Sequence, residues 1–356
     1  MRLLIRLSLR VRSLRQQHAQ AAEDKASSAS QLWPAPDRVY AISKPYGVSV
    51  YGLHFMPSFC YGIWQAGNEF YIREASTGRR RIRTESGSRV TQPLMELEEV
   101  EGRLTLAVVL PDLAKALGEP SLHVVRAVPR FMSGVMLLTN SEAAARRANT
   151  ILATASGLPS TPHSRLIALC LGIMDEKEWA GDFLAEYVDV NGSMQAQAYQ
   201  GDPEKVSGRM LAQRKVVKRR LEHQVLGESG LLSLVQLNVD SFDQHMPLVY
   251  LAEKGAPVLG DAWHRKRLTF VLGHSVRLPP REAAKTALFI PRELLHHWGL
   301  TERQYAELPI MAHVYGLSIP GLLQRRHLFQ VAAPPPPHFQ HAVRSLGLWD
   351  CLDDYS

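Results

Sequence analysis

The sequence predicts an α+β domain, with α/β as the alternative that periodicity alone leaves open. Three observations lead there. Short runs of strand character, apolar or alternating, predominate in the middle of the chain, at residues 123–128, 134–138, 166–173 and 231–239. Helix-like stretches lie between some of them. The apolar fraction is 46% over 356 residues, enough for a full core in one large domain or two small ones.

Taken in order, residues 16–37 are polar and rich in Ala and Ser, the texture of a linker. Residues 39–52 have the pattern of a strand running into a turn. Residues 67–90 hold Arg79, Arg80, Arg81 and Arg83 among Gly and Ser. Residues 108–117 are helix-like and include Asp112. Two strands, 123–128 and 134–138, flank a loop. Residues 141–155 predict a helix: Ser141 can cap it, Glu142 suits its first turn, and Ala-rich sequence follows. A buried strand is expected at 166–173, a hairpin within 180–198, a basic run at 213–220 and a strand at 231–239. Pro247 does not suit a helix interior and is expected near a first turn. Residues 286–290 read as a late strand, 291–298 and 301–306 as helices, with Pro291 suited to a first turn. Residues 334–337 break regular structure and open a Pro-containing tail. The expected organisation is 1–37 targeting peptide and linker, 38–322 folded domain, and 323–356 tail. No internal repeat is visible.

The first 22 residues carry Arg2, Arg6, Arg10, Arg12 and Arg15 and no acid, with Leu and Ile at near-helical spacing between them. An Arg-rich, acid-poor amphipathic start predicts a mitochondrial targeting peptide and a matrix location. Those five arginines account for most of the formal +7 charge, so a nucleic-acid footprint has to be a local patch. The apolar runs are too short and too interrupted for a membrane span. Cys60, Cys170 and Cys351 have no CxxC spacing, which points to a reducing compartment without a disulfide framework. No zinc spacing, Walker loop or GxGxxG loop occurs, so metal, nucleotide-hydrolysis and redox chemistry have no signature here.

Four stretches carry a more specific pattern. The first is Ser43-Lys44-Pro45-Tyr46-Gly47-Val48-Ser49-Val50-Tyr51-Gly52. The second is the loop from His123 through Pro129-Arg130-Phe131-Met132-Ser133-Gly134 into Leu138. The third is Arg165-Leu166-Ile167-Ala168-Leu169-Cys170-Leu171-Gly172. The fourth runs from His245-Met246-Pro247-Leu248 to Gly255-Ala256-Pro257-Val258-Leu259-Gly260-Asp261. In this order and spacing they resemble the RluA-type RNA pseudouridine synthase family, over roughly residues 40–322. That family writes the loop His-Arg-Leu-Asp-x-x-Thr-Ser-Gly; here Ser133-Gly134 remains, and Pro129 stands where the catalytic Asp would be. Leu166 stands at the Tyr that packs on the target base. Leu248 stands at the buried Arg that partners the Asp. His245 and Gly260-Asp261 are kept.

The resemblance implies a mixed, mainly antiparallel sheet with a central RNA-binding cleft and flanking helices. It implies isomerisation of uridine to pseudouridine in mitochondrial mRNA or rRNA, without metal or organic cofactor, on a base taken out of its stack. The three changes are mutually consistent, because a buried Arg without its carboxylate would be an uncompensated charge. Pro129 offers neither a titratable group nor a backbone N–H. No acid occurs from Ser121 to Ser141. Asp243 and His245 are therefore the candidates for displaced chemistry, with Asp240 and Asp261 nearby. Arg79, Arg80, Arg81, Arg130, Arg214, Lys215, Lys218 and Arg219 are the candidate phosphate contacts, with a further basic run at Arg265, Lys266 and Arg267. The alternative on the same scaffold is a non-catalytic RNA-binding protein or mitoribosome-assembly factor, with assembly proteins as partners.

Overall fold

The computed structural model describes residues 38–44, 46, 63–66, 69–74, 78–81, 106–156, 163–213, 215–242, 245–272, 274–322 and 328–355. The expected targeting peptide and linker (1–37), most of the first motif, Arg83, Arg214 and Asp243 lie outside these residues. For the strands within 63–81 the backbone alone is described.

Among the described residues, fifteen strands form three sheets. In chain order they are β1 (Val39–Lys44), β2 (Ile63–Ala66), β3 (Glu69–Glu74), β4 (Gly78–Arg81), β5 (His123–Arg126), β6 (Ser133–Thr139), β7 (Ser164–Leu171) and β8 (Glu178–Val190). They continue as β9 (Ser193–Ala198), β10 (Val216–Ser229), β11 (Leu232–Val239), β12 (Leu268–Val271), β13 (His274–Arg277), β14 (Ala312–Pro320) and β15 (Leu328–Ala332). The large sheet runs β1-β6-β14-β7-β11-β10-β8-β9, with β5 beside β6 and β15 beside β14. Every pairing in it is antiparallel except β6 with β14. The fold is thus α+β with a mixed, mainly antiparallel sheet. Strands β2, β3 and β4 form a separate meander and β12–β13 a hairpin.

Local chemistry explains the boundaries. Asn191 and Gly192 both take positive φ, 55° and 81°, so the dipeptide makes the tight turn between β8 and β9 that the alternating pattern requires. Ser141 Oγ accepts the amide of Ala144 at 3.1 Å and caps the helix Glu142–Ser156. Gly134 has φ 146°, and a methyl group there would lie 2.5 Å from Val314 Cβ on β14. The Ser-Gly pair of the loop is therefore what allows β6 to lie so close to β14.

The sheet is covered on both faces. In β7, Leu166, Ala168 and Cys170 belong to one apolar cluster, and Ile167, Leu169 and Leu171 to the other. Two-sided burial explains why this strand reads as one unbroken apolar run. Ala144, Ala148 and Leu152 cover the first face together with Met246, Leu248, Tyr250 and Leu251 of the helix Met246–Glu253. Leu294, Tyr305, Phe339, Ala342 and Val343 cover the second.

Three expectations differ from the structure. Residues 286–290 form no strand; Leu288, Phe289 and Ile290 pack against the second cluster as irregular chain, and their burial imitates a strand signal. Pro291 is the residue before the helix Arg292–Trp298 rather than in its first turn. The region 323–356, expected as a tail, contributes β15 and the helix Pro337–Ser345, whose Phe339 and Val343 are fully buried. Its prolines start the helix rather than ending order, because a proline in a first turn removes no helical hydrogen bond. Phe339→Ala is expected to lower unfolding stability by about 3–5 kcal/mol. A shift in the urea midpoint with an unchanged m-value would show this; an unshifted midpoint would mean that this helix does not seal the core.

Candidate functional site

The altered loop connects β5 to β6. Met132 donates its amide to the Pro129 carbonyl at 3.0 Å, closing a tight turn at residues 129–132. Val128 and Met132 are buried in the first apolar cluster, which anchors both sides of the turn. Arg130 and Phe131 sit half-buried at its tip. Phe131 packs edge-on against the rings of His245 (centroids 4.8 Å apart) and Trp263 (4.9 Å). His245 and Trp263 are themselves 4.6 Å apart. These rings form an aromatic wall behind the loop.

His245 immediately precedes the helix Met246–Glu253 and has a left-handed φ of 58°. Pro247 follows in the first turn of that helix, where its missing N–H costs no hydrogen bond. Burial, and secondarily the neighbouring His264, lower the His245 pKa to about 4, so the imidazole is neutral at physiological pH. Asp261 is fully buried and accepts the amides of Trp263 (2.8 Å) and His264 (3.2 Å). The His264 ring donates to its other oxygen at 2.7 Å. Burial alone would raise the Asp261 carboxyl, but these donors hold it below its ordinary value. Asp261 thus fixes the Gly260-Asp261 turn and carries Trp263 and His264 into the aromatic wall. It does not face an open site.

Leu166 and Leu248 are both fully buried in the first cluster, with Val128 and Met132. Both side chains are therefore continuous with the apolar core. Leu248→Arg alone is expected to cost about 3–5 kcal/mol, since it buries a cation with no acid at position 129. Pro129→Asp with Leu248→Arg should recover part of that loss. Thermal melts of the two variants test this, and equal stability would place position 248 away from position 129.

Lys44, at the end of β1, is 1% exposed and pairs across the ladder with Gly134. Burial, then the neighbouring Arg130 charge, lower its pKa to about 7. The loop tip and the strand beneath it therefore bring two basic side chains, Arg130 and Lys44, close together. Ser133 and His313 join β6 to β14 by a buried hydrogen bond of 2.8 Å, and the other His313 nitrogen donates to the Ala333 carbonyl at 3.0 Å. Desolvation lowers the His313 pKa to about 4. His245 and His313 each titrate lower in the folded chain than in the unfolded one. The unfolded state thus binds more protons between about pH 6.5 and 4, and stability is expected to fall steadily with pH across that window. His313→Gln should flatten the slope; an unchanged slope would show that His313 is not the source.

Among the described residues, the candidate phosphate contacts on β10 do not face one way. On β10, Arg219 shares a face with Val217 and Leu221, which are buried in the core, whereas Lys218 points the other way and pairs with Asp182 at 2.8 Å. Lys215 is exposed just before the strand. Arg79, Arg80 and Arg81 occupy β4, and Arg214 and Asp243 are not described. Within the third basic run, Arg267 is buried and paired with Glu253, and Arg265 donates to the Ala306 carbonyl at 2.9 Å. That run is at least partly structural. Among the described residues no group of three or more His, Cys, Asp or Glu is placed to hold a metal ion, and no helix is long and apolar enough to cross a membrane.

Sequence reasoning gives little weight to a second polar cluster. Arg126, at the end of β5, donates to Ser164 Oγ at 2.8 Å and to the Asp240 main-chain carbonyl at 2.9 Å. Its guanidinium lies 5.5 Å from the Phe242 ring. Asp240 follows β11 directly. The signal available is an Arg on the strand entering an acid-free loop and an Asp closing a later apolar strand; nothing in their spacing joins them.

Comparison with known proteins agrees with this geometry. Over 252 residues the chain is 30% identical to the mitochondrial mRNA pseudouridine synthase RPUSD3 of Homo sapiens, covering 69% of each chain. It is 29% identical to the Bos taurus protein of the same name, covering 69% of this chain and 71% of that one. The solved structure of human RNA pseudouridylate synthase domain containing 4 shares the fold, with a TM-score of 0.55 over 94% of this chain and 98% of that chain at 17% identity. No family model matches. The chain belongs to the RNA pseudouridine synthase family. Gly134 and Gly260, two positions of the sequence resemblance, both lie in close backbone packing.

Proposed function

We propose that this chain binds mitochondrial RNA in the cleft beside the 129–132 loop, and that the loop supplies grip rather than the reacting carboxylate. The observation that carries this reading is that Pro129 sits in a loop with Arg130 and Phe131 at its tip and Lys44 beneath it, while Leu166 and Leu248 are buried in the core. A cationic, partly aromatic surface suits phosphate contact and base stacking. Residues 1–37 would direct the chain to the mitochondrial matrix, where mRNA or rRNA is the substrate class. Arg79, Arg80, Arg81, Arg214, Lys215, Lys218 and Arg219 remain the proposed phosphate contacts outside the loop, although Arg219 faces inward.

Two readings of the chemistry differ. In one, the family reaction of uridine to pseudouridine persists with a carboxylate from another element; the buried Asp240, whose main-chain carbonyl accepts from Arg126, favours it. In the other, the scaffold is a non-catalytic RNA-binding or mitoribosome-assembly factor; the dry, apolar site around Leu166 and Leu248 favours that. Pseudouridine formation on total mitochondrial RNA under single-turnover conditions separates them.

RNA binding itself has a direct test. Charge reversal at Lys215 and Lys218 should weaken binding and make the dependence of log K on log salt shallower, by about 0.7 for each phosphate left unneutralised on single-stranded RNA. Affinity and slope both equal to wild type would remove this strand edge from the interface.

A further inference from the structure

We infer that the hairpin β12–β13 is a second RNA-contacting element, with Arg265, Lys266 and Arg277 holding backbone phosphates along its stem and the Leu272 side chain at its tip set against a base. The inference rests on the RNA-binding reading above and gives it a surface outside the 129–132 loop.

Charge is distributed unevenly here. From Ala262 to Arg281 the chain carries Arg265, Lys266, Arg267, Arg277 and Arg281 and no acid. Arg267 is buried and paired with Glu253, so it serves the fold. Among the described residues no carboxylate pairs with Arg265, Lys266, Arg277 or Arg281. Arg265, Arg277 and Arg281 donate instead to the main-chain carbonyls of Ala306, Glu253 and Asp189. A carbonyl orients a guanidinium without neutralising it, which leaves the charge available to an anion.

The tip is apolar and strained. Val271 pairs with His274, so Leu272 lies in the turn that closes the hairpin. Leu272 is 95% exposed, more than any other large apolar side chain among the described residues, and the adjoining Val271 is also exposed. Its φ is 52°. Tight hairpin turns meet that requirement with Asn, Asp or Gly, as Asn191-Gly192 does between β8 and β9. A bulky side chain at positive φ is an outlier, and this one gains no packing within the fold in return. The stem below it is firmly seated. Leu268 is buried in the second apolar cluster, and the Phe270 ring lies 4.4 Å from that of Phe289. Leu278 donates its amide to the Arg267 carbonyl at 2.7 Å and closes the base. The exposed leucine therefore stands on a fixed support.

Cations along a rigid stem with a small apolar wedge at the end are the means by which proteins hold phosphates and press a side chain against bases. A membrane surface would be met by a broader apolar face than Val271 and Leu272 provide. The hairpin is also joined to the loop. Asp261 fixes Trp263 and His264, Arg265 follows directly, and the Trp263 ring packs on Phe131. Leu272 is nine residues beyond Trp263, a reach of at most about 30 Å. One RNA strand can touch both.

The test uses the full chain and a labelled RNA oligonucleotide of mixed sequence, titrated at several salt concentrations, with thermal melts of every variant. Leu272→Gly and Leu272→Asn are each expected to weaken binding about fivefold or more. Their melting temperatures should not fall, because both residues accept positive φ. Leu272→Met, which keeps an apolar tip, should bind like wild type. Lys266→Gln with Arg277→Gln should make the dependence of log K on log salt shallower by about 0.7 for each phosphate released. Wild-type affinity in both Leu272→Gly and Leu272→Asn overturns the proposal. If Arg130→Glu weakens binding while the hairpin variants do not, the loop reading stands and the hairpin is excluded. A wild-type chain that binds no RNA overturns both. Cosedimentation with vesicles of phosphatidylcholine and phosphatidylglycerol that is lost in Leu272→Asn, at unchanged RNA affinity, overturns the proposal in favour of a lipid surface.

Discussion

The two-sided burial of β7 is the constraint on which the rest of this structure depends. Every residue from Leu166 to Leu171 is almost completely removed from water. The strand's odd and even positions feed separate apolar clusters, so a one-residue slip in register would exchange the contents of both. Its neighbours β11 and β14 are therefore held in fixed register, and the bulge in the β14 pairing near Gly316 is absorbed beside Arg165, which stacks on Tyr315. The loop at 127–132, the β11 terminus at Asp240 and the His245 cap are all attached to this frame. None of them owes its position to chemistry.

Two glycines show how strictly this frame is held. Gly134 permits the close approach of β6 to β14, and Gly260 has φ 81° where a side chain would overlap the Pro309 carbonyl. Both are requirements of packing and both are retained. At Leu166 and Leu248 a charged side chain would be carried into a space that this chain fills with hydrocarbon.

Much of the fold was legible because its signals are local. Ser141 and its Ala-rich sequel, Asn191-Gly192 between alternating strands, and Pro247 at a helix start each determine nearby backbone by short-range physics. Residues 286–290 misled because burial against a sheet and membership of a sheet give the same apolar string. The C-terminal helix was obscured by the prolines at 334–337, whose effect depends on whether they fall before or within a helix. Pro129, Leu166 and Leu248 stand out through the motifs the sequence resembles, whereas Arg126 and Asp240 are 114 residues apart and meet only in the tertiary structure. Lys44 was visible as a motif residue, but its near-complete burial beside Arg130 follows from tertiary packing alone.

The helix Pro337–Ser345 has a consequence for biogenesis. It follows every strand of the large sheet in sequence, yet it supplies Phe339 and Val343 to the second apolar face. Chain delivered from its N-terminus, whether by a ribosome or through a translocation pore, can pair all its strands and still leave part of that face uncovered. Until the helix arrives, the sheet is a ready client for chaperones that bind exposed hydrocarbon, and a product cut before residue 337 would remain one.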